Sequence, residues 1–383
     1  MNSSTNVLER NGLFKYFNEQ AFNILHFASE SFIFNKIMSF RFAVILSGVF
    51  WLCGLNAQQS NLTNDIVCRK DLLFSVAGDW KGRVDSLKVD LVYPVNYDSA
   101  ELLHPLILFF HGGSLLTGNK KDYFEHCILL AQQGCVAASV NYRLGYLQKA
   151  GVTCKDALHP SYFMAEYRAQ QDVCSAIRFF VLHAKEYHVD TNQIVIAGFS
   201  SGADACLLAA FCGQDDWQKK APWVENVLGK VDAFGMQHKV KVVASLWGAV
   251  TDLAFITPDE AQRTAAIFYQ GTLDPAVPYD KTAVEYGTAF YGAHAMAGQY
   301  KRFQGCYQLN THLNGGHMDG YSKAELTRSV FDFAKAAFAG NCVSSEKVLV
   351  RDVDRSKING FIVIFIAVTL LVLVAFYKKI FYR

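Results

Sequence analysis

Ser200 stands at the centre of Gly198-Phe199-Ser200-Ser201-Gly202, and what surrounds it decides whether its hydroxyl can act as a nucleophile. Ile194, Val195, Ile196 and Ala197 before it form a short apolar run of the kind that makes a strand buried on both faces. The Ala/Leu-rich stretch after it reads as a helix. Strand, tight Gly-x-Ser-x-Gly turn and helix together make a nucleophile elbow. The two glycines let the strand and helix backbones come close, and the helix N-terminus behind Ser200 favours negative charge. Without that context the motif is only a turn of small residues, a pattern that recurs by chance.

A serine hydroxyl is a poor nucleophile until a base takes its proton, and the base needs an acid to hold its tautomer. Asp274 follows an apolar run in Gly271-Thr272-Leu273-Asp274, and His317 lies in Asn314-Gly315-Gly316-His317-Met318. His312 is a rival base and Asp252 a rival acid. Asp319 reads as a cap on the closing helix, His111 as a brace for the glycines that follow it, and Arg143 and Asp172 as structural ionic partners. The other histidines (His104, His126, His183, His188, His238, His294) show no paired ligand spacing, and the cysteines contain no C-x-x-C. Neither a metal nor a cofactor is expected.

The elements that must position these groups alternate. Strands are expected at Val84–Tyr93, Leu106–Phe110, Val136–Val140, Ile194–Ala197, Val240–Leu246, Ala265–Tyr269 and Tyr300–Phe303. Helices are expected at Lys121–Gln133, Arg168–Tyr187, Lys281–Ala297 with Asp280 as its cap, and Ser322–Ala339. Residues 58–84 carry no clear pattern, and 146–163 read as a loop. Alternation of buried strands with helices argues for a mostly parallel central sheet flanked by helices on both faces, with the site beyond the carboxyl ends of the strands.

Six motifs then fall in one order: His111-Gly112-Gly113, Asn141-Tyr142-Arg143, Asp172, Gly198-Phe199-Ser200-Ser201-Gly202, Gly271-Thr272-Leu273-Asp274 with Val277-Pro278, and Gly316-His317. On these, residues 85–340 resemble an α/β-hydrolase of the carboxylesterase and hormone-sensitive-lipase-like branch. The resemblance implies that Ser200 attacks an ester carbonyl, that His317 is general base and then acid, and that Asp274 orients it. It also implies an oxyanion hole from the backbone N–H groups of Gly112, Gly113 and Ser201, where small residues let the chain approach the developing charge. Ser114 departs from the family pattern, in which many relatives have a third glycine.

The two ends concern location. Met38-Ser39-Phe40-Arg41-Phe42 precedes the apolar Ala43–Leu52 and a small residue at Ala57, so 38–57 read as a signal peptide and 1–37 as an upstream extension. The hydrolase domain is expected over 58–345 and a juxtamembrane linker over 346–357. Residues 358–377 are uncharged and almost wholly apolar, long enough to span the ~30 Å hydrocarbon core as a transmembrane helix. The tail 378–383 with Lys378, Lys379 and Arg383 would stay in the cytoplasm, leaving the catalytic domain periplasmic or extracellular. Cys127, Cys135, Cys174, Cys206 and Cys212 sit in apolar contexts as small hydrophobes. Cys68, Cys154, Cys306 and Cys342 look loop-like and open to pairing.

A net charge of +2 and the absence of a Lys/Arg-rich face argue against nucleic acid as partner, which leaves a small ester and the membrane. A serine peptidase of the same fold would need a large added domain that 58–84 cannot hold. A catalytically inactive binding module would be expected to lack one of Ser200, Asp274 and His317.

Overall fold

The computed structural model describes residues 65–95, 102–147, 160–282 and 289–350, all within one unit spanning 62–383. In chain order they form β1 (Ile66–Gly78), β2 (Val84–Pro94), β3 (His104–Phe110), a 3₁₀ turn (Lys120–Tyr123) running into α1 (Phe124–Ala131), and β4 (Val136–Val140). Then come α2 (Pro160–Leu182), β5 (Val189–Phe199), α3 (Ser201–Phe211), α4 (Gln214–Lys220), α5 (Val224–Leu228) and β6 (Val240–Leu246). The chain continues through α6 (Pro258–Arg263), β7 (Ala265–Gly271), α7 (Ala293–Arg302), β8 (Tyr307–Leu313), α8 (Lys323–Phe338) and β9 (Ser345–Val350).

The strands make one nine-stranded sheet in the order β1-β2-β4-β3-β5-β6-β7-β8-β9. β1 and β2 are antiparallel to their neighbours, and every pairing from β3 and β4 onward to β9 is parallel. β3, β4, β6 and β7 are mostly apolar because their side chains meet a covered face on either side. Along β3, Leu106, Leu108 and Phe110 join the cluster under α2, α3 and α7, while Ile107 and Phe109 join the one under α1 and α8. This is the doubly covered sheet the alternation implied, and it carries the ends of β5, β7 and β8 to one rim.

Three expected elements are corrected. The segment Lys281–Ala297 is not one helix. Lys281 forms an isolated bridge to Tyr291, and α7 begins only at Ala293, capped by Gly292. Asp280 instead lies 3.3 Å from exposed His294. Tyr300–Phe303 is the end of α7, because Ala293, Met296, Ala297 and Tyr300 form a buried stripe at helical spacing. The strand expected there is β8, further on. β9, Ser345–Val350, also takes 346–350 from the segment read as a linker, extending the sheet beyond 345. The unpatterned region 58–84 holds β1, an edge strand whose exposed side and register shifts break any alternation.

Cys306 and Cys342 form a disulfide between the start of β8 and the segment after α8. Cys127, Cys135, Cys174, Cys206 and Cys212 are buried, and Cys68 is exposed and free. Cys154, the extension 1–37, the segment 38–57, the span 358–377 and the tail 378–383 lie outside the described residues. Among the described residues no helix is long and apolar enough to cross a membrane.

His126 on α1 joins that helix to α8. Thr327 gives its hydroxyl proton to the Lys323 carbonyl, so the 2.6 Å contact with His126 requires Nδ1–H of the imidazole to donate to Thr327 Oγ1. Burial, helped by the Lys323 charge, pushes the imidazole down to about 4. As pH falls, the unfolded chain therefore takes up a proton before the folded one. His126 leaves stability unchanged above about pH 6.5 and lowers it by about 3 kcal/mol between pH 6.5 and 4. Urea midpoints across that range should fall steeply, and in His126→Gln less steeply. Equal slopes in the two proteins would contradict the assignment.

Candidate active site

Ser200 sits between β5 and α3 with φ 52° and ψ −126°, a conformation that side-chain-bearing residues rarely hold. The neighbours leave it no alternative. A Cβ on Gly198 would lie 2.2 Å from the Gly202 carbonyl oxygen, and one on Gly202 would lie 2.3 Å from that of Phe110. Strand and helix thus touch backbone to backbone, and the serine between them is thrust outward. Its own N–H is held by the Leu246 carbonyl at 2.8 Å. The elbow read from the sequence is present.

The structure brings Ser200, His317 and Asp274 together. His317 Nε2 is 3.0 Å from Ser200 Oγ, and His317 Nδ1 is 2.7 Å from Asp274 Oδ2. The carboxylate can only accept from Nδ1–H, so Nε2 carries the lone pair that faces the serine hydroxyl. The Asp274 side chain is fully buried, while His317 keeps 22% of its side chain exposed. Four donors converge on the carboxylate: His317, Gln270 Nε2 at 2.6 Å, and the N–H groups of Ala276 and Val277 at 2.8 and 3.0 Å. Gln270, the penultimate residue of β7, was not singled out in the sequence. Its only signal there is a polar side chain ending an otherwise apolar strand.

The loop after β3 closes the other side. Gly113, Ser114 and Leu115 have φ of 116°, 56° and 59°, three successive left-handed residues that fold the loop back toward the elbow. A Cβ on Gly112 would lie 3.2 Å from that of Ser200, so Gly112 is where the two backbones meet. Ser201 Oγ accepts from Leu115 N–H at 3.2 Å, the Leu115 carbonyl accepts from Gly145 N–H at 2.7 Å, and the Gly145 carbonyl accepts from Arg168 at 2.7 Å. A continuous chain of hydrogen bonds thus ties α3, the glycine loop, the segment after β4 and α2.

The rival residues have other work. His312 is fully buried with its ring against Gly315 and Gly320, and its Nδ1 lies 3.2 Å from the Asp319 carbonyl. Asp252 caps a short 3₁₀ turn through Ala254 N–H. His111 is buried, stacks on Tyr142 at 4.4 Å between ring centroids and bonds the Gly112 carbonyl. Asp319 does not cap the closing helix; Ser322 does, in a capping box with Glu325. Arg143 and Asp172 are paired at 2.7 Å and buried, as expected of structural partners. Among the described residues no cluster of histidine, cysteine or carboxylate side chains has the arrangement of a metal site.

Residues 89–276 match the BD-FAE family model. That span holds Ser200 and Asp274, whereas His317 lies beyond it and reaches them through the fold. Neuroligin-like protein glit-1 of Caenorhabditis elegans is 28% identical over 119 residues, which is 31% of this chain and 15% of that protein. Lipase 2 of Moraxella sp. (strain TA144) is 29% identical over 121 residues, 31% of this chain and 24% of that one. The chain thus spans less than a quarter of the length of these curated relatives. Among solved structures, Thermogutta terrifontis esterase 2 phosphorylated by paraoxon has a TM-score of 0.48 and 16% identity, covering 76% of this chain and 99% of that one. The same esterase phosphonylated by sarin gives 0.49 and 15% over the same shares.

Proposed function

Starting from the α/β-hydrolases of serine-esterase type, to which this chain belongs, we propose that it cleaves carboxylic esters through an acyl-enzyme on Ser200 while anchored to a membrane through residues 358–377. The observation that carries the reading is the relay from Ser200 Oγ through His317 to Asp274, at 3.0 and 2.7 Å. As Oγ attacks the carbonyl carbon, its proton passes to His317 Nε2, and Asp274 holds the imidazolium that results. The oxyanion is met by the N–H groups of Gly112, Gly113 and Ser201. His317 then returns the proton to the departing alcohol. Water attacks the acyl carbon, His317 takes its proton in turn, and the acid leaves with Ser200 restored. No step calls for a cofactor.

Export through residues 38–57, with the catalytic domain outside the cytoplasm and 378–383 inside, is part of the same proposal. It draws support from the Cys306–Cys342 disulfide, since such bonds persist mainly in oxidising compartments.

One experiment separates the two parts. Intact cells expressing the full chain are treated with a membrane-impermeant fluorophosphonate, and the carbonate-washed membrane fraction is read by intact mass beside Ser200→Ala. A single adduct on the parent, absent from the variant, is expected. No adduct even after lysis would sink the hydrolase reading. An adduct formed only after lysis would sink export and leave the chemistry standing.

A further inference from the structure

On the face of the sheet under α2, away from Ser200, lies a cavity of about 610 Å³. It is bounded by the β1–β2 hairpin at Trp80, by α2, and by the stretch from α5 to Ala233. Four cationic side chains line it, Arg143, Arg168, Arg178 and Lys230, against three carboxylates, Asp79, Asp172 and Asp232. The carboxylates are already engaged. Asp172 accepts three bonds from Arg143, Asp79 is held by Arg83 and the Lys81 N–H, and Asp232 accepts from the N–H groups of Phe234 and Gln237. The cations are not matched in the same way. Among the described residues neither Arg168, Arg178 nor Lys230 pairs with a carboxylate at salt-bridge distance. Arg178 lies over the Phe234 ring at 4.6 Å.

Arg168 is the informative member. Only 1% of it is exposed, its Nη2 holds the Gly145 carbonyl, and its Nε is buried with no hydrogen-bond partner. Nε is sealed from the cavity, so an anion there would act on this buried charge through its field and not through a bond to Nε. Burial, with Arg143 adding to it, pulls the guanidinium down to about 10, so an anion beside it would relieve an existing cost. The cavity is of the size that takes a small ligand. Met164, Val227 and Leu228 add an apolar side to it.

We propose that this cavity is a second binding site, for a small oxyanion, a carboxylate or phosphate group on a molecule with a short apolar portion. The anion sits against Arg168, flanked by Arg178 and Lys230, and the apolar portion lies on Met164 and Leu228. The site does not depend on Ser200 and stands whether or not the esterase reading does.

Calorimetric titration of the full chain with sodium phosphate and, separately, sodium butyrate, against chloride at matched ionic strength, tests it. Saturable one-to-one binding is expected for at least one of the two, with Kd of about 1 mM or tighter. Which one binds identifies the source of the oxyanion. Lys230→Gln and Arg178→Gln, whose side chains border the cavity from its more exposed side, should each weaken binding about fivefold or more. Their thermal midpoints in chloride report that they are folded. Arg168→Gln should abolish binding, and if it fails to fold the other two variants decide. Heats no larger than in chloride for both anions would overturn the proposal. So would binding that is unchanged in Lys230→Gln and Arg178→Gln but lost in Ser200→Ala, which would place the anion in the catalytic cleft.

Discussion

Ser200→Ala is expected to lower kcat/KM toward a p-nitrophenyl ester by about 10⁵-fold or more, and His317→Ala by nearly as much. The reason lies in the 3.0 Å contact between the two side chains. Without the hydroxyl there is no nucleophile to deprotonate, and without Nε2 the hydroxyl keeps its proton. Each loss removes the same step, so the double variant should be no slower than the worse single one. Asp274→Asn is a subtler probe. The amide preserves shape but presents N–H where Nδ1–H must donate, which favours the wrong tautomer, and the fall should be about 10⁴-fold. Gln270 adds a test of positioning. Gln270→Leu removes one of four donors to the carboxylate and should lower kcat without a matching change in KM. Effects of Ser200 and His317 that multiply in the double variant would mean that the two residues act separately, and the relay would be the wrong description.

The triad was legible in the sequence because its demands are local. A serine at φ 52° between two backbones in contact can have only glycine on either side, and that is written as Gly198 and Gly202. Asp274 and His317 were legible as polar residues in short loops behind apolar runs. The oxyanion donors Gly112, Gly113 and Ser201 rest on the family resemblance alone, because every residue but proline has a backbone N–H and its type does not mark one as a donor. The strand supporting His317 was missed for a different reason. β8 reads Tyr307-Gln308-Leu309-Asn310-Thr311-His312-Leu313, whose polar residues resemble a loop. In the fold they are buried, and two of them find partners on other residues: Asn310 donates to the Phe268 carbonyl and Gln308 to Asn310 and Ser329. Partners that come from other elements do not appear in a local pattern. β1 was hidden by the opposite circumstance, since an edge strand half open to water needs no strict alternation.

Asp172→Ala is expected to destabilise the fold by about 3–5 kcal/mol, the cost of leaving a buried charge unpaired. Asp172 is 1% exposed and takes the Arg143 backbone N–H at 2.7 Å together with Nε, at 2.9 and 3.0 Å to its two oxygens. Burial pushes its carboxyl up and the Arg143 charge works against that, so the pair exists at the expense of desolvation. Removing only the carboxylate keeps that expense and loses the return. Replacing both residues by apolar ones commonly recovers such a loss. Here recovery should be incomplete. Arg143 also donates to the Gly78 and Arg168 carbonyls and to Gln171 Oε1, at 3.2, 3.3 and 2.9 Å, and its own N–H would be left without Asp172. Urea unfolding of Asp172→Ala, Arg143→Met and the double variant with Asp172→Leu reads the coupling. A loss below about 1 kcal/mol in Asp172→Ala would show that water reaches Arg143 and solvates it. Activity provides a second reading, because Gly145, two residues beyond Arg143, holds the Leu115 carbonyl, and Leu115 N–H holds Ser201. Loosening that segment should lower kcat/KM in the variant even at temperatures where it remains folded. An unchanged kcat/KM in folded Asp172→Ala would mean that the glycine loop keeps its place without the ion pair.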